Sequence, residues 1–228
     1  LKCYKTVLDV PGPIDLAVIV IPSKLVPQAV RECGEKGIKY LVIISAGFKE
    51  VGVEGARLEN EVKEIARSYD MRIVGTNCLG ILNTHTKCNA SFAKKMPPRG
   101  NVSIITQSGA LGTAILDWSD ATGVGFDSFV SLGNKSDLNE IDFMEAWKQD
   151  DNTKVILAYL EGITDGRRFI DVARDVSRSK PIIVVKSGRT SAGARAVSSH
   201  TGSLAGSDAA YDSAFMQSGV IRAETMNQ

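Results

Sequence analysis

The sequence is poor in the features that mark metal, redox, membrane and nucleic-acid-binding proteins. Its 228 residues include four cysteines, and no two of these have the Cys-x-x-Cys spacing of zinc and thioredoxin-type sites. The longest apolar stretch, within Ile14–Ile21, is far shorter than a membrane span. A net charge of +1 gives no electrostatic reason to expect a nucleic acid or an acidic membrane as a partner. No signal-peptide pattern opens the chain and unpaired cysteines suit a reducing compartment, so we expect a cytoplasmic protein.

A second absence concerns nucleotide binding. The chain has no Gly-x-Gly-x-x-Gly turn, which is the phosphate-binding element in the first βαβ unit of dinucleotide-binding domains. It also has no acidic residue where the ribose contact is expected. Both absences argue against an ordinary dehydrogenase domain. The first strand pattern opens abruptly, and we expect the chain to begin part-way through a domain.

Strand and helix patterns alternate along the first part of the chain. Apolar runs predict strands in Ile14–Ile21, Ile38–Ser45 and Met71–Val74. Between them, apolar residues at helical spacing predict one helix over residues 25–33 and another over residues 58–69. Alternation of this kind is typical of a parallel sheet covered by helices.

A linker-like segment separates this part from the rest. Residues 93–100 contain two prolines and three basic residues, and we predict a boundary there between a domain at 1–96 and a domain at 97–228. The second domain repeats the alternation, which predicts the α/β class with two doubly wound parallel-sheet domains. Its predicted strands are Asn101–Gln107, Phe126–Leu132, Val155–Leu160 and Ile182–Lys186. One predicted helix begins near Ser108, and three others span Leu138–Gln149, Gly166–Arg178 and Ser207–Gln217.

The carboxyl ends of the predicted strands are where an open parallel sheet binds its ligands. After the first strand of the second domain come Ser108, Gly109 and Ala110, which open a helix. A helix N-terminus with unpaired N–H groups suits a phosphate, although a simple serine N-cap has the same sequence. The turns Pro22–Ser23 and Ser45–Phe48 in the first domain are expected to line the adjacent cleft.

A glutamate and a histidine complete the candidate chemistry. Glu161 follows the apolar strand Val155–Leu160, and His200 lies in a long stretch of glycine, serine and alanine. A long loop inside a compact domain is usually functional, and a carboxylate can fix the tautomer of an imidazole and raise its nucleophilicity. We predict that His200, supported by Glu161, attacks a phosphoryl group held at Ser108–Ala110. A mobile surface loop with an incidental histidine, and an ordinary strand-end carboxylate, are the alternatives.

Four motifs resemble a known family in order and spacing. They are Gly75–Gly80, Gln107–Leu111, Glu161–Gly162 and a segment from Gly188 to Gly202. Together they resemble the α subunit of succinyl-CoA synthetase and, more closely, the ADP-forming acetyl-CoA synthetases. The resemblance implies a truncated Rossmann-like CoA-binding domain, followed by a flavodoxin-like ligase domain that carries a phosphohistidine.

The resemblance also implies roles for individual residues. His200 takes the phosphoryl group, Glu161 supports it, and Ser108, Gly109 and Ala110 hold its phosphate. The expected CoA contacts are Ile21, Pro22, Ile44, Ser45 and Ala46, with Asn77 at the acyl end. ADP or ATP with Mg²⁺ is expected on an ATP-grasp β subunit or fused domain, so that the assembly is a hetero-oligomer and this part alone is inactive.

Two departures from the family limit what is carried over. The glycine-rich turn that grips CoA is missing, so we expect weak CoA binding by the chain alone. Thr76 and Thr113 stand where the succinyl-specific enzymes have proline and tyrosine, which favours acetate over succinate. One alternative function stays open: a regulatory CoA-binding module of a protein lysine acetyltransferase. Such modules generally lack the nucleophilic histidine, so His200 and Glu161 count against this alternative.

Overall fold

The computed structural model describes residues 2–188 and 208–225, which form one parallel sheet and one mostly parallel sheet, flanked by helices. The first sheet has three parallel strands in chain order: β1 (Leu16–Ile19), β2 (Tyr40–Ile43) and β3 (Arg72–Gly75). Two helices connect them, α1 (Val26–Glu35) and α2 (Val53–Ser68). The three predicted strands of the first part are confirmed.

The two faces of the first sheet have different neighbours. Leu41 and Ile43 of β2 belong to a buried cluster with apolar residues of α1 and α2, which therefore lie on the same face. Val42 belongs instead to the cluster that forms the core of the second sheet, together with Val74 of β3. Because side chains alternate along a strand, the second face of this sheet packs against the rest of the chain.

The second sheet has seven strands. In chain order these are β4 (Gly80–Asn83), β5 (Cys88–Ser91), β6 (Arg99–Thr106), β7 (Phe126–Ser131), β8 (Val155–Leu160), β9 (Ile182–Lys186) and β10 (Ile221–Ala223). The helices after β6, β7, β8 and β9 are α3 (Gly109–Thr122), α4 (Glu140–Lys148), α5 (Gly166–Ser177) and α6 (Asp208–Ser218). The spatial order is β10-β9-β8-β6-β7-β4-β5, with β6 to β10 parallel.

Helices cover both faces of this sheet, as the doubly wound prediction requires. Leu116 of α3 packs in one buried cluster, whereas Met144 of α4, Phe169 of α5 and Phe215 of α6 pack in another. The strand order reverses between β6 and β8, because β7 lies on one side of β6 and all later strands lie on the other. Such a switch point opens a crevice at the carboxyl ends of the two strands.

Three strands were not predicted from the sequence. The hairpin of β4 and β5 pairs antiparallel with β7 and so extends the second sheet, although its residues precede the predicted boundary at residue 96. The sheets thus divide the chain between β3 and β4, while the domain limits 1–96 and 97–228 stay a prediction. The third unpredicted strand, β10, has only three residues at the opposite edge.

A backbone seam joins the two sheets. We use this name for the contact between residues 72–77, which comprise β3 and the two residues after it, and residues 133–138, which precede α4. Three amide-to-carbonyl hydrogen bonds cross it: Asn134 to Thr76 (2.8 Å), Ser136 to Gly75 (2.8 Å) and Leu138 to Ile73 (3.1 Å). The Asp137 carboxylate adds bonds from the Ile73 amide and from Arg72 Nε, both 2.9 Å.

Gly133 is the tightest point of the seam. It has φ +53°, and a Cβ there would lie 2.2 Å from the Thr76 carbonyl oxygen. Only glycine therefore meets both the backbone conformation and the close approach of the two chains.

In the part of the chain that the structure describes, no helix combines the length and the apolar character needed to cross a membrane.

The seam makes Gly133 the more costly of two left-handed glycines to replace. Gly123, at the end of α3, has φ +72° and open space around a Cβ. We expect Gly123→Ala to lower the free energy of unfolding by about 1 kcal/mol. Gly133→Ala should cost about 2 kcal/mol more, because the methyl group displaces Thr76. Urea unfolding of both variants measures the difference, and equal losses would contradict the role of the seam.

The cysteines provide a second test of the packing. Burial raises the pKa of the Cys78 thiol to about 12, and burial with the nearby Glu32 charge raises that of Cys33 to about 11. At pH 8 at most about one in a thousand of either thiol is ionised. We expect a thiol reagent to modify exposed Cys3 and half-buried Cys88 in the native protein, and Cys33 and Cys78 only after unfolding. Rapid native labelling of a Cys3→Ser, Cys88→Ser variant would show that this packing is wrong.

Candidate functional site

A cavity of about 630 Å³ opens at the switch point of the second sheet. Its walls come from both sheets, since the loops after β2 and β3 face the loops after β6, β7 and β8. An apolar part is formed by Ile44, Cys78, Leu79, Phe92 and Ile163. A polar part is formed by Lys49, Glu50, Asn77, Gln107, Ser108, Asn134, Lys135, Glu161 and Thr164.

Most of the predicted site residues line this one cavity. They are Ser108, Gly109, Ala110, Glu161, Asn77, Ile44 and Ala46. Three predicted CoA contacts, Ile21, Pro22 and Ser45, are described but do not line it. His200 lies outside the described residues, so its place relative to the cavity stays a prediction.

Ser108 is both an N-cap and part of the cavity wall. Its Oγ accepts a hydrogen bond from the Leu111 amide at 3.2 Å, which confirms the simple capping role. The amides of Gly109 and Ala110 open the helix and therefore have no carbonyl partner within it. These donors and the positive end of the helix dipole lie at the cavity, so capping and anion binding are compatible.

Glu161 is held at the end of β8 by its backbone. It is 9% exposed. The Gln107 side-chain oxygen accepts from the amides of Glu161 and Gly162, the second at 3.1 Å. Lys135 Nζ donates to the Gly162 carbonyl oxygen at 2.7 Å. The dipeptide that carries the carboxylate is thus held by side chains from the segments that follow β6 and β7.

Ser45 ties the ends of β1 and β2 together. Its Oγ accepts from the Ile21 amide at 3.0 Å and donates to the Ile21 carbonyl oxygen at 2.6 Å. The side chain is therefore used to position the Ile21–Pro22 turn. The predicted contacts of Ile21, Pro22 and Ser45 with CoA stay predictions.

Asn77 occupies a left-handed backbone conformation at the cavity wall, with φ +53°. Asparagine tolerates this region better than most residues. Its amide donates to the Ser45 carbonyl oxygen at 3.0 Å, and its side-chain nitrogen lies 3.4 Å from the Asn134 side-chain oxygen. The residue is thereby fixed between the two sheets.

A polar cluster around Asn134 was missed by the sequence analysis. Asn134 Nδ2 lies 2.6 Å from a Glu50 oxygen and 2.8 Å from a Glu59 oxygen. Thr76 Oγ1 donates to the same Glu59 oxygen at 2.8 Å, and Lys49 Nζ is 3.7 Å from the other one. Asn134 is 58 or more residues away from the other members of the cluster, and no spacing pattern links it to them.

Opposing effects set the pKa of Glu50. Burial acts to raise the pKa of its carboxyl group. Hydrogen bonds from Asn134 and from the Gly47 and Phe48 amides outweigh burial, so that the pKa falls below its ordinary value. Glu50 is therefore a carboxylate acceptor at neutral pH and not a proton donor.

Two lysine side chains near the strand ends are buried, and only Lys135 had not been considered as a candidate from the sequence. Lys135, after β7, is 3.0 Å from the fully buried Glu140. Lys186, at the end of β9, is 4% exposed, and its Nζ lies 4.5 Å from the centre of the Tyr211 ring. Burial lowers the pKa of Lys186 below its ordinary value. Lysine after a strand is common at protein surfaces, so the burial of these two side chains could not be predicted from their positions in the sequence.

Among residues 2–188 and 208–225, no group of three or more histidine, cysteine, aspartate or glutamate side chains is arranged to hold a metal ion. The cavity wall itself offers anion binding, by the amides that open α3 and by the Lys135 ammonium group, beside the Glu161 carboxylate.

Two protein families match successive parts of the chain. Residues 1–84 match the family described as CoA binding domain, and residues 99–228 match that described as Succinyl-CoA ligase like flavodoxin domain. The second match covers more than half of the sequence.

Individual proteins match over almost the whole chain. Acetate–CoA ligase [ADP-forming] I of Archaeoglobus fulgidus is 53% identical over 99% of this chain and 33% of its own length. Acetate–CoA ligase [ADP-forming] I subunit alpha of Pyrococcus furiosus is 51% identical over 100% of this chain and 49% of its own length.

Solved structures agree with these matches. The dinucleotide forming acetyl-coenzyme A synthetase 1 of Ca. Korarchaeum cryptofilum, in complex with phosphate and ADP, superposes with a TM-score of 0.96. It is 49% identical, over 100% of this chain and 49% of that one. The chain thus spans a third to a half of the length of these relatives. The chain therefore belongs to the family of the succinyl-CoA ligase-like flavodoxin domain, and in this chain a CoA-binding domain precedes that domain.

Proposed function

We propose that this chain is the CoA-binding and phosphoryl-accepting part of an ADP-forming acyl-CoA ligase, with acetate as the acid. The observation that carries the proposal is the convergence of Glu161, the start of α3 and Asn77 on one cavity. The named relatives, which are acetate–CoA ligases, support the choice of reaction and acid.

The proposed reaction has three steps in the direction of ATP formation. A phosphate oxygen attacks the thioester carbon of acetyl-CoA, the C–S bond breaks, and the thiolate leaves as CoA with a proton. A nitrogen of His200 then attacks the phosphorus of acetyl phosphate, and the P–O bond to the acetyl group breaks to release acetate. Finally an oxygen of ADP attacks the phosphohistidine, so that the P–N bond breaks and ATP forms.

The residues of the cavity supply the chemical groups that the first two steps need. The amides of Gly109 and Ala110 bind phosphoryl oxygens, which carry negative charge throughout. The Glu161 carboxylate accepts a hydrogen bond from one ring N–H of His200, so that the other ring nitrogen attacks and the positive charge that develops on the ring is stabilised. The apolar wall excludes water, which would otherwise hydrolyse acetyl phosphate.

The nucleotide step needs a second protein part. We place ADP or ATP and Mg²⁺ on an ATP-grasp β subunit or fused domain, which makes the assembly a hetero-oligomer or a longer chain. The Pyrococcus relative is named as an alpha subunit, and the Archaeoglobus relative is about three times as long as this chain, so both arrangements have support. Four free cysteines among the described residues fit a cytoplasmic setting.

The regulatory alternative is not favoured. A CoA-binding module of a lysine acetyltransferase does not require the phosphoryl-binding helix start and the fixed carboxylate in one cavity. The relatives reported above are ligases.

The test of the proposed function is phosphorylation of His200. The complete protein, with its nucleotide-binding part, is incubated with γ-labelled ATP and magnesium. We expect one label per chain, stable in base and lost in acid, because a P–N bond has this stability. The chain has only two histidines, so His85→Asn serves as the matched control for His200→Asn. Labelling of the control but not of His200→Asn is the expected result, and equal labelling of both variants would refute the proposal.

The role of Glu161 has its own test. Glu161→Gln keeps the size of the side chain but removes the charge that supports the imidazolium. We expect the rate of His200 phosphorylation to fall about 10- to 100-fold, with little loss of stability. Glu145→Gln, on the exposed side of α4, is the control. A rate in Glu161→Gln within twofold of the control would show that the carboxylate has no part in the reaction.

A further inference from the structure

Lys135 is a buried cation at the wall of the cavity. It follows β7 in a left-handed backbone conformation, φ +53°, and its amide donates to the Leu132 carbonyl oxygen at 3.1 Å. The side chain is 9% exposed and lines the cavity. A non-glycine residue with positive φ at a site wall indicates a position that the surrounding structure enforces.

Two of the three N–H groups of Lys135 have partners among the described residues. Nζ lies 3.0 Å from a Glu140 carboxylate oxygen and 2.7 Å from the Gly162 carbonyl oxygen. An ammonium group has three donors, so one remains for a further acceptor. Because both existing partners are fixed, the ammonium is held in place before any ligand binds.

The ion pair has no structural advantage over an apolar pair. Glu140 is fully buried, and its second oxygen has no hydrogen-bond partner among the described residues. Replacing such a pair with apolar residues is often neutral or stabilising, because two charges no longer need to be desolvated. A buried pair that reaches a cavity therefore fits a binding role better than a role in stability.

The position of Lys135 relative to α3 points to the ligand. Gly162 accepts from Lys135 through its carbonyl oxygen and donates through its amide to Gln107, which directly precedes the N-cap Ser108. Lys135 and Gln107 thus hold the Glu161–Gly162 dipeptide, and the ammonium group lines the same cavity as Gly109 and Ala110, which open the helix. A tetrahedral group with several charged oxygens can bind both sets of donors at once, as phosphate does.

We propose that Lys135 binds a phosphoryl oxygen of inorganic phosphate and of the acyl phosphate, opposite the amides of Gly109 and Ala110. Glu140 keeps the lysine charged and fixed. The proposal rests on the proposed function, since it assigns a further binding residue for the same reaction. It makes the phosphoryl group, and not the acyl chain, the part of the substrate that the second sheet recognises.

The test is the affinity of the complete protein for inorganic phosphate, measured by calorimetry, with four variants. Lys135→Met removes the cation but leaves Glu140 as an unpaired buried carboxylate, which threatens folding. The double variant Lys135→Met, Glu140→Gln removes both charges and is expected to fold. Glu140→Gln alone keeps the cation. Lys148→Met removes a lysine whose ion pair with Asp175 lies at the surface, and serves as the control.

We expect the dissociation constant for phosphate to rise about 10-fold or more in both Lys135→Met variants. The rise should be smaller in Glu140→Gln, which keeps the cation and its contact with the Gly162 carbonyl oxygen, and the value should stay within about threefold of the original in the Lys148→Met control. The difference in phosphate affinity between the Lys135→Met variants and Glu140→Gln distinguishes phosphate binding from a purely structural ion pair. Loss of a structural pair would lower the affinity equally in Glu140→Gln and in the double variant. Circular dichroism melting confirms that each variant is folded.

Two results would overturn the proposal: unchanged phosphate affinity in the double variant, or equal loss in Glu140→Gln. Failure of the proposed function has a different signature, namely no label on His200 in the unchanged protein. Phosphate binding that depends on Lys135 together with an unlabelled His200 would support this inference and refute the histidine relay.

Discussion

The backbone seam between residues 72–77 and 133–138 is the constraint on which the site depends. The cavity has walls from both sheets, and neither sheet alone could enclose it. Three main-chain hydrogen bonds and the carboxylate of Asp137 hold the two edges in register, and Gly133 permits the approach. Because these bonds are made by the backbone, the register is insensitive to most side-chain changes nearby.

The seam brings together groups that would be costly to bury separately. Glu161 is fixed by Gln107 and Lys135, and Asn134 binds the carboxylates of Glu50 and Glu59. The Asn134 amide group thus offsets part of the desolvation of Glu50 and Glu59, and side chains from other elements hold the Glu161–Gly162 backbone. All these elements meet at the crevice of the switch point. The contacts that stabilise the fold therefore lie next to the candidate binding site.

Sequence patterns predicted the elements whose signals are local. The strands Val155–Leu160 and Ile182–Lys186 were predicted to the residue because they are continuous apolar runs, and Ser108 was recognised by its capping chemistry. The hairpin Gly80–Ser91 was not, since its strands are short and its partner β7 lies some 45 residues away. Lys135 was also missed because its burial depends on a contact distant in sequence, with the loop after β8.

The most direct test of the account is a crystal structure of the complete protein soaked with inorganic phosphate and CoA. We expect a phosphate in the cavity, within hydrogen-bonding distance of the Gly109 and Ala110 amides and of Lys135 Nζ, with the thiol of CoA beside Asn77. Phosphate bound elsewhere while the cavity holds only water, or a CoA thiol directed away from the seam, would contradict it.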